Sequence, residues 1–224
     1  MAVVLESFNQ YTETLRRLEQ VYRARQVFVS GSAQEYAPWT EHESHQFLTL
    51  LGKRLTEKGL NVITGFGLGV GPHVINGVLD ELDSEGTRNL SDRLTLRPFP
   101  YAIKDPEKRK SRWTNYRKEM ISQAGVAVFV FGNKAGRPGE VVLADGMMEE
   151  FEIARELGLL IVPVGVTGYV AKELHEKVSK SFQQYFPNVR GLKSALAELG
   201  KSGTPTTIVQ RVLKFIDIAA KGRS

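Results

Sequence analysis

The sequence predicts a Rossmann-like, doubly wound α/β fold, with a mainly parallel sheet and helices on both of its faces. Strand-like and helix-like segments alternate along most of the 224 residues, which is typical of βαβ units. Two strand-like segments, 126–131 and 159–164, are continuously apolar rather than alternating. Helices must therefore cover both faces of these strands, as they do in a parallel sheet.

The elements can be placed along the chain from their apolar spacing. We expect strands at 26–30, 60–64, 93–98, 126–131 and 159–164. We expect helices at 40–58, 70–83, 106–124, 147–157, 168–184, 190–199 and 205–221. A further helix at 5–25 is indicated by apolar residues at three- and four-residue steps, namely Leu5, Phe8, Tyr11, Leu15, Leu18 and Tyr22.

Residues 26–224 are predicted to form one domain, because no internal repeat or low-complexity linker interrupts them. The helix within residues 1–25 precedes the first strand. It either links the domain to an upstream domain or covers an edge of the sheet. We expect the former, with residues 1–25 as a helical linker.

The composition excludes several classes of protein. Cysteine is absent, so disulfides, thiolate nucleophiles and thiolate metal sites are excluded. No apolar run approaches the roughly 18 residues of a membrane span, and residues 1–5 lack the basic start of a signal peptide. We expect a cytoplasmic protein without membrane contact. His42 and His45 lack carboxylates at a suitable spacing, so no metal site is expected.

The formal charge is +5, and seven basic residues lie between Lys104 and Lys118. Such a segment is usually a solvated helix face. At the mouth of a ligand site it would also steer anions inward. Nucleic-acid binding is disfavoured, because the basic excess is small and no basic groove interleaved with aromatic residues is evident.

The first predicted strand ends in the small residues Ser30, Gly31 and Ser32. Small side chains there let the backbone approach a phosphate or a ribose, and the hydroxyls can donate hydrogen bonds to it. A plain tight turn between strand and helix would use the same residues, so both interpretations remain.

The loop after the second strand, 65–71, has glycine at every other position. Since glycine weakens regular structure, this pattern indicates close approach of a ligand to the backbone of the loop, with N–H groups at the helix start attracting an anion. Val70 and Pro72 interrupt both possible matches to the dinucleotide fingerprint Gly-x-Gly-x-x-Gly. An ordinary NAD dehydrogenase is therefore disfavoured.

Charged residues are predicted at the same edge of the sheet. Arg117 lies on the helix before the fourth strand, and Lys134 lies just beyond the end of that strand. An arginine fork and a lysine point charge both suit a diphosphate, although either residue alone is more often a surface charge. A Gly- and Pro-rich loop, 132–146, ends at Gly146 shortly before Glu149 and is long enough to fold over a ligand.

An acid in the first turn of the next helix, Glu149 or Glu150, has three interpretations. The helix dipole alone would favour an acid at that position. The carboxylate could instead accept hydrogen bonds from ribose hydroxyls. It could also assist the departure of a nucleobase in a hydrolase.

Six segments together resemble the SLOG superfamily. They are Val-Ser-Gly-Ser-Ala-x-Glu-Tyr (29–36), Thr-Gly-Phe-Gly-x-Gly-Val-Gly (64–71), Arg-Pro-Phe-Pro (97–100), Tyr-Arg (116–117), Phe-Gly-Asn-Lys (131–134) and Gly-Met-Met-Glu-Glu-Phe (146–151). The chain is most similar to the SLOG domain at the C-terminus of Thoeris anti-phage effectors, from about residue 26 to its end.

This resemblance implies a sensor that binds a cyclic ADP-ribose isomer made by a partner TIR protein after infection. In that family the sensor is joined to a sirtuin-type NADase domain, and ligand binding switches on NAD hydrolysis. The resemblance puts Arg117 and Lys134 on the phosphates and Glu149 on a ribose. It lines the crevice with Ser30, Gly31, Ser32, Gly67, Gly69 and Gly146.

We therefore expect a regulatory domain that has no catalytic residue, cofactor or metal of its own. A sensor that activates a fused enzyme must alter its geometry or its assembly on binding. We expect a homo-oligomer that forms through the basic helix or the two C-terminal helices.

Another SLOG branch is the main alternative. The cytokinin-activating nucleoside 5'-monophosphate phosphoribohydrolases carry a Pro-Gly-Gly-x-Gly-Thr-x-x-Glu loop with a catalytic glutamate. The corresponding segment here, 143–149, keeps one glycine and the acid but lacks Pro-Gly-Gly and the threonine, which favours binding without cleavage. A more distant SLOG branch binds single-stranded DNA, and that function would require an affinity that falls steeply with salt.

Overall fold

A computed structural model places a five-stranded parallel sheet at the centre of the protein and describes residues 8–86, 90–100, 102–186 and 189–222. The strands are β1 (Gln26–Ser32), β2 (Asn61–Thr64), β3 (Leu94–Leu96), β4 (Val126–Phe131), β5 (Asn133–Ala135), β6 (Val141–Leu143) and β7 (Leu160–Pro163). The sheet has the order β3-β2-β1-β4-β7, and all of its pairs are parallel. The Rossmann-like prediction is confirmed.

Helices follow most of the strands. They are α1 (Phe8–Ala24), α2 (Glu41–Glu57), α3 (Gly71–Glu85), α4 (Leu90–Arg93), α5 (Pro106–Ile121), α6 (Asp145–Glu156), α7 (Tyr169–Lys180), α8 (Phe182–Tyr185), α9 (Leu192–Glu198) and α10 (Pro205–Lys221), with a 3-10 turn at Gly165–Thr167. Several start at a side-chain cap: Thr40 forms a capping box with Glu43, and Asp105 accepts hydrogen bonds from two backbone N–H groups of α5.

The apolar run of β4 is buried along its whole length, with every residue at most 4% exposed. Successive side chains of a strand point to opposite faces of the sheet. Burial of all six residues therefore requires cover on both faces, as the continuous apolar pattern predicts. Phe28 of β1, Phe129 of β4 and Phe151 of α6 are among the largest fully buried side chains of this core.

Several element boundaries differ from the sequence prediction, and three of the differences are in α5, α7 and α6. Helix α5 ends at Ile121 rather than at 124, because the chain turns there to enter β4. The predicted helix 168–184 is divided at Ser181, whose backbone leaves the helical region with φ −118° and ψ 37°. Helix α6 begins at Asp145 rather than at 147, so Glu149 and Glu150 lie in its second turn.

The Gly- and Pro-rich loop 132–146 contains an unpredicted antiparallel hairpin. Strand β5 pairs with β6 in the register Asn133 with Leu143, Lys134 with Val142 and Ala135 with Val141. The hairpin folds the chain back on itself directly after β4, so residues just beyond β4 lie beside the start of α6. The turn residues and the Val-Val-Leu run that follows them are the signal for a hairpin in the sequence.

Helix α1 lies at the first residues that the structure describes, and it presents a row of apolar side chains to solvent. These side chains are 56–63% exposed and belong to Tyr11, Leu15, Leu18, Val21 and Tyr22. Near its end, the Arg23 guanidinium donates two hydrogen bonds to the Ala124 carbonyl and so joins α1 to the loop before β4. Residues 5–7 of the predicted helix lie outside the described residues, and the linker role of α1 stays a prediction.

Among the described residues, no helix is both long enough and apolar enough to cross a membrane.

Candidate functional site

The site lies where the strand order reverses. Strands β2 and β3 extend the sheet to one side of β1, whereas β4 and β7 extend it to the other. In open α/β sheets, ligands bind at the carboxyl ends of the strands beside such a switch point. This region, the carboxyl-edge crevice, is bordered by the end of β1, the loop 65–71, the β5–β6 hairpin and the start of α6.

Arg117 of α5 is buried at this edge, with 8% of its surface exposed. Its guanidinium bridges two acids of α6. One terminal nitrogen donates to Oε2 of Glu149 at 2.8 Å, and Nε donates to Oε1 of Glu150 at 3.3 Å. The guanidinium carbon lies 4.9 Å from the centroid of the Phe99 ring, which covers one face of the cation.

The two acids differ in burial and partners. Glu150 is the inner one: its side chain is 12% exposed, and its Oε2 accepts a hydrogen bond of 2.6 Å from the Ser30 hydroxyl of β1. Burial raises the pKa of Glu150, while the hydrogen bond from Ser30 and the charge of Arg117 act against that rise. Glu149 is the outer one, with a side chain 34% exposed that also accepts a hydrogen bond from the Thr114 hydroxyl.

Lys134 also contacts the start of α6. The hairpin carries it from the end of β4 to Asp145, the first residue of α6, and the two side chains form an ion pair. The hydrogen bond from Lys134 lowers the pKa of Asp145. Arg117 and Lys134 therefore lie on the same side of the molecule, and both contact acids in the first two turns of one helix.

Gly146 lies against the arginine. A Cβ atom at this position would be 2.5 Å from a terminal nitrogen of Arg117, so any side chain would displace the guanidinium. This contact explains a glycine at the start of a helix, where glycine is otherwise unfavourable.

The alternate glycines of loop 65–71 pack against the end of β1. A Cβ atom on Gly67 would collide with the Gly31 carbonyl oxygen, and one on Gly69 would collide with the Ala33 carbonyl oxygen. The Ala33 N–H donates to the Leu68 carbonyl at 2.8 Å and joins the two loops. Loop packing by itself accounts for Gly67 and Gly69, and their contact with a ligand stays a prediction.

Asn133 fixes the loop that follows β1. Its side chain is fully buried: Oδ1 accepts hydrogen bonds from the N–H groups of Gln34 and Glu35, at 2.7 and 3.1 Å, and Nδ2 donates to the Glu35 carbonyl. The Ser32 hydroxyl donates to the Asn133 carbonyl at 2.9 Å. The predicted crevice residue Ser32 is thus held in place by the first residue of β5.

Three aromatic residues have left-handed backbone angles, and all lie at the carboxyl edge of the sheet. They are Phe66 after β2, with φ 60°, Phe131 at the end of β4, with φ 55°, and Tyr169 at the start of α7, with φ 51°. Bulky residues rarely adopt positive φ, and such strain concentrates at functional sites. The strained backbone at these three positions is therefore further evidence that the functional site lies at this edge of the sheet.

Tyr36, His45 and His73 support the glycine loop from outside. The Tyr36 hydroxyl donates to the Gly69 carbonyl at 2.7 Å and lies 3.1 Å from Nε2 of His45. The His45 and His73 rings stack with centroids 3.7 Å apart. Burial and the neighbouring His45 lower the pKa of His73, although Glu41 acts in the opposite direction. No three potential metal ligands lie together in the ranges that the structure describes.

Sequence reasoning missed two residues of this arrangement, Asn133 and Thr114, and from the residues alone it did not decide between Glu149 and Glu150. A signal existed for Glu150, because it shares a helical face with the apolar residues Met147, Phe151 and Ala154 and must therefore point inward. Thr114 precedes Arg117 by three residues and shares its helix face. The role of Asn133 depends on its contact with a loop about 100 residues away, and spacing along the chain gives no sign of it.

The fold and the crevice define a Rossmann-like α/β protein with paired cations and acids at its switch point. The chain belongs to the Sir2- and TIR-associating SLOG family, whose model matches residues 10–219.

Similar proteins come from several bacteria. The chain is 42% identical to the NAD(+) hydrolase ThsA of Bacillus cereus (strain MSX-D12) over 219 residues, which cover 96% of this chain and 45% of that protein. It is 40% identical to ThsA of Acinetobacter baumannii (strain 532279), covering 83% of this chain and 40% of that protein, and 34% identical to ThsA of Enterococcus faecium, covering 96% and 44%. The chain thus spans less than half the length of these relatives.

Gly67→Ala should lower the free energy of unfolding by about 1–3 kcal/mol, because overpacking against a backbone carbonyl forces the two loops apart. Chemical denaturation measures this difference. Gly203→Ala is a matched control, since a methyl group there meets its nearest neighbours at an ordinary 3.4 Å. Equal losses in the two variants would contradict the packing of the glycine loop on β1.

Acidification should destabilise the protein through His73. Its pKa lies below the ordinary value of 6.5, so the unfolded chain binds more protons than the folded protein as the pH falls through that value. The free energy of unfolding should decline between about pH 7 and pH 5, and His73→Gln should flatten the decline. Denaturation at a series of pH values tests this, with His42→Gln at an exposed position of α2 as the control. An unaltered slope in His73→Gln would contradict the assignment.

Proposed function

We propose that this chain is a regulatory sensor domain that binds a cyclic ADP-ribose isomer in the carboxyl-edge crevice. The observation that carries the proposal is the convergence of Arg117 and Lys134 on the start of α6. A diphosphate offers closely spaced anionic oxygens, so its recognition favours two cationic donors that lie together. The position of both cations at the switch point of the sheet adds support.

In this proposal Arg117 and Lys134 bind the phosphates, and Glu149 accepts hydrogen bonds from a ribose. Glu149 suits that role better than Glu150, because its side chain is nearly three times as exposed, at 34% against 12%. The small residues of the crevice bring the backbone close to the ligand. They are Ser30, Gly31, Ser32, Gly67, Gly69 and Gly146.

The relatives suggest how such a sensor would be used. They are named NAD(+) hydrolases and are about twice as long as the matched region. We propose that the complete protein carries a Sir2-type NADase domain, that a TIR protein makes the nucleotide signal during phage infection, and that the bound sensor switches on NAD hydrolysis. Binding must then favour one conformation or assembly over another, and a homo-oligomer is a suitable means.

A nucleotide hydrolase is the second candidate, and one observation favours it. Glu150 is a buried carboxyl with a raised pKa beside an arginine, an arrangement that can supply an acid to a departing base. Two observations favour the sensor instead. Glu150 is already bonded to Ser30, and the start of α6 keeps one glycine but lacks the Pro-Gly-Gly and the threonine that would grip a monophosphate.

Arg117→Ala and Lys134→Ala should each weaken binding of a cyclic ADP-ribose isomer at least tenfold, because a hydrogen bond to a charged group contributes roughly 1.5–3 kcal/mol. Isothermal titration calorimetry measures the affinities. Lys118→Ala is the matched control, since it removes an exposed cation from the same helix one residue away.

Arg117→Ala also leaves Glu150 buried without its cation, which destabilises the fold. Lys134→Ala avoids this problem, because the Lys134 side chain is 46% exposed. Unchanged affinity in a folded Lys134→Ala variant would remove this residue from the site.

Incubation with AMP should release no adenine, because the proposed crevice binds nucleotides without cleaving them. Chromatography of the mixture over several hours measures free base. Steady release of adenine that is lost in Glu149→Gln or Glu150→Gln would establish the hydrolase and reject the sensor as a non-catalytic domain.

A further inference from the structure

We infer that Glu149 is an internal competitor for Arg117: a phosphate group displaces its carboxylate from the guanidinium, and the freed carboxylate becomes the ribose acceptor. The second half of this inference rests on the proposed function. The first half concerns only Arg117, its two acids and a phosphate, and it can be tested without a nucleotide.

The two acids hold different nitrogens of the arginine. Glu150 is anchored to the sheet by Ser30 and holds the inner nitrogen, Nε. Glu149 holds an outer, terminal nitrogen and is the more exposed of the two acids. A ligand that enters from solvent therefore reaches the Glu149 end of the guanidinium first, while Glu150 keeps the arginine in position.

Repulsion between neighbouring anions favours the displacement of Glu149 by a phosphate. Without ligand, the single positive charge of Arg117 faces two carboxylates within hydrogen-bond distance. A phosphate that bound the same terminal nitrogen beside Glu149 would place two anions next to each other at a site that is shielded from water. Departure of Glu149 removes that repulsion and leaves Arg117 paired with Glu150 and the phosphate.

The contacts of Glu149 make its departure feasible. Its side chain is partly exposed, and its second oxygen is held by the Thr114 hydroxyl, so rotation breaks two polar contacts. Lys134 repeats the pattern with Asp145, where both side chains are largely exposed. Arg117 and Lys134 are thus each paired with an acid of α6. In the proposed exchange, that acid occupies the position where a phosphate would bind.

Two probes test the two parts of the inference separately. Inorganic pyrophosphate tests the displacement of Glu149 from Arg117, and ADP-ribose tests the contact between the freed carboxylate and a ribose. Glu149→Gln should bind pyrophosphate about five- to tenfold more tightly than the unaltered chain, since the competitor is weakened. The same variant should bind ADP-ribose more weakly, because the ribose loses its charged acceptor. Calorimetry at constant ionic strength measures both.

Three further variants distinguish exchange from a general loss of negative charge. Thr114→Val changes no charge but loosens Glu149, so it should also tighten pyrophosphate. Glu150→Gln should weaken pyrophosphate, because Arg117 loses its inner anchor, whereas general repulsion predicts tightening. Glu152→Gln removes an acid of the same helix that pairs with Lys177 and Arg155, and it should alter neither affinity.

The inference is overturned if Glu149→Gln and Thr114→Val leave pyrophosphate affinity unchanged, if Glu152→Gln tightens it equally, or if no variant binds pyrophosphate. Thermal melting checks that each variant is folded, and Thr114→Val keeps the test valid if Glu150→Gln does not fold. Tighter pyrophosphate binding with no binding of ADP-ribose or its cyclic isomers would support the exchange and reject the proposed function.

Discussion

The buried ion pairs of Arg117 are the interaction on which the candidate site depends. An arginine that is 8% exposed needs anionic partners, and the second turn of α6 provides two. These bonds join α5 to α6, and the hydrogen bond from Ser30 to Glu150 joins α6 to the central strand β1. The same contacts that satisfy a buried charge therefore assemble three elements around one edge of the sheet.

The parallel sheet decides which residues meet there. Carboxyl ends of parallel strands share one edge, so the end of β1 and the residues after β4 lie together although they are about 100 residues apart. Close packing then fixes the details. The glycine loop contacts the backbone of β1, Asn133 binds the loop after it, and Gly146 leaves room for the arginine.

Much of this was predictable from sequence, and the reasons are physical. The buried strands β4 and β7 follow from apolar runs, and the placement of Arg117 and Lys134 at this edge follows from their positions before and after β4. The residues alone left Glu149 and Glu150 as alternatives, and the family resemblance put Glu149 on the ribose. Comparison of their helical faces would have placed Glu150 on the inward side. The hairpin was missed because its strands are only three residues each. The pairing of each cation with an acid of α6 is a tertiary contact, and no local pattern encodes it.

The structure also gives a different explanation for the alternate glycines of loop 65–71. Four alternate glycines suggest a loop shaped for a ligand, yet Gly67 and Gly69 are already required by contact with the carbonyls of Gly31 and Ala33. Evidence for ligand binding therefore rests on the charged residues. A crystal structure of the chain with a bound cyclic ADP-ribose isomer tests this most directly. The account predicts diphosphate oxygens within hydrogen-bond distance of both Arg117 and Lys134, and a ligand bound away from either side chain would contradict it.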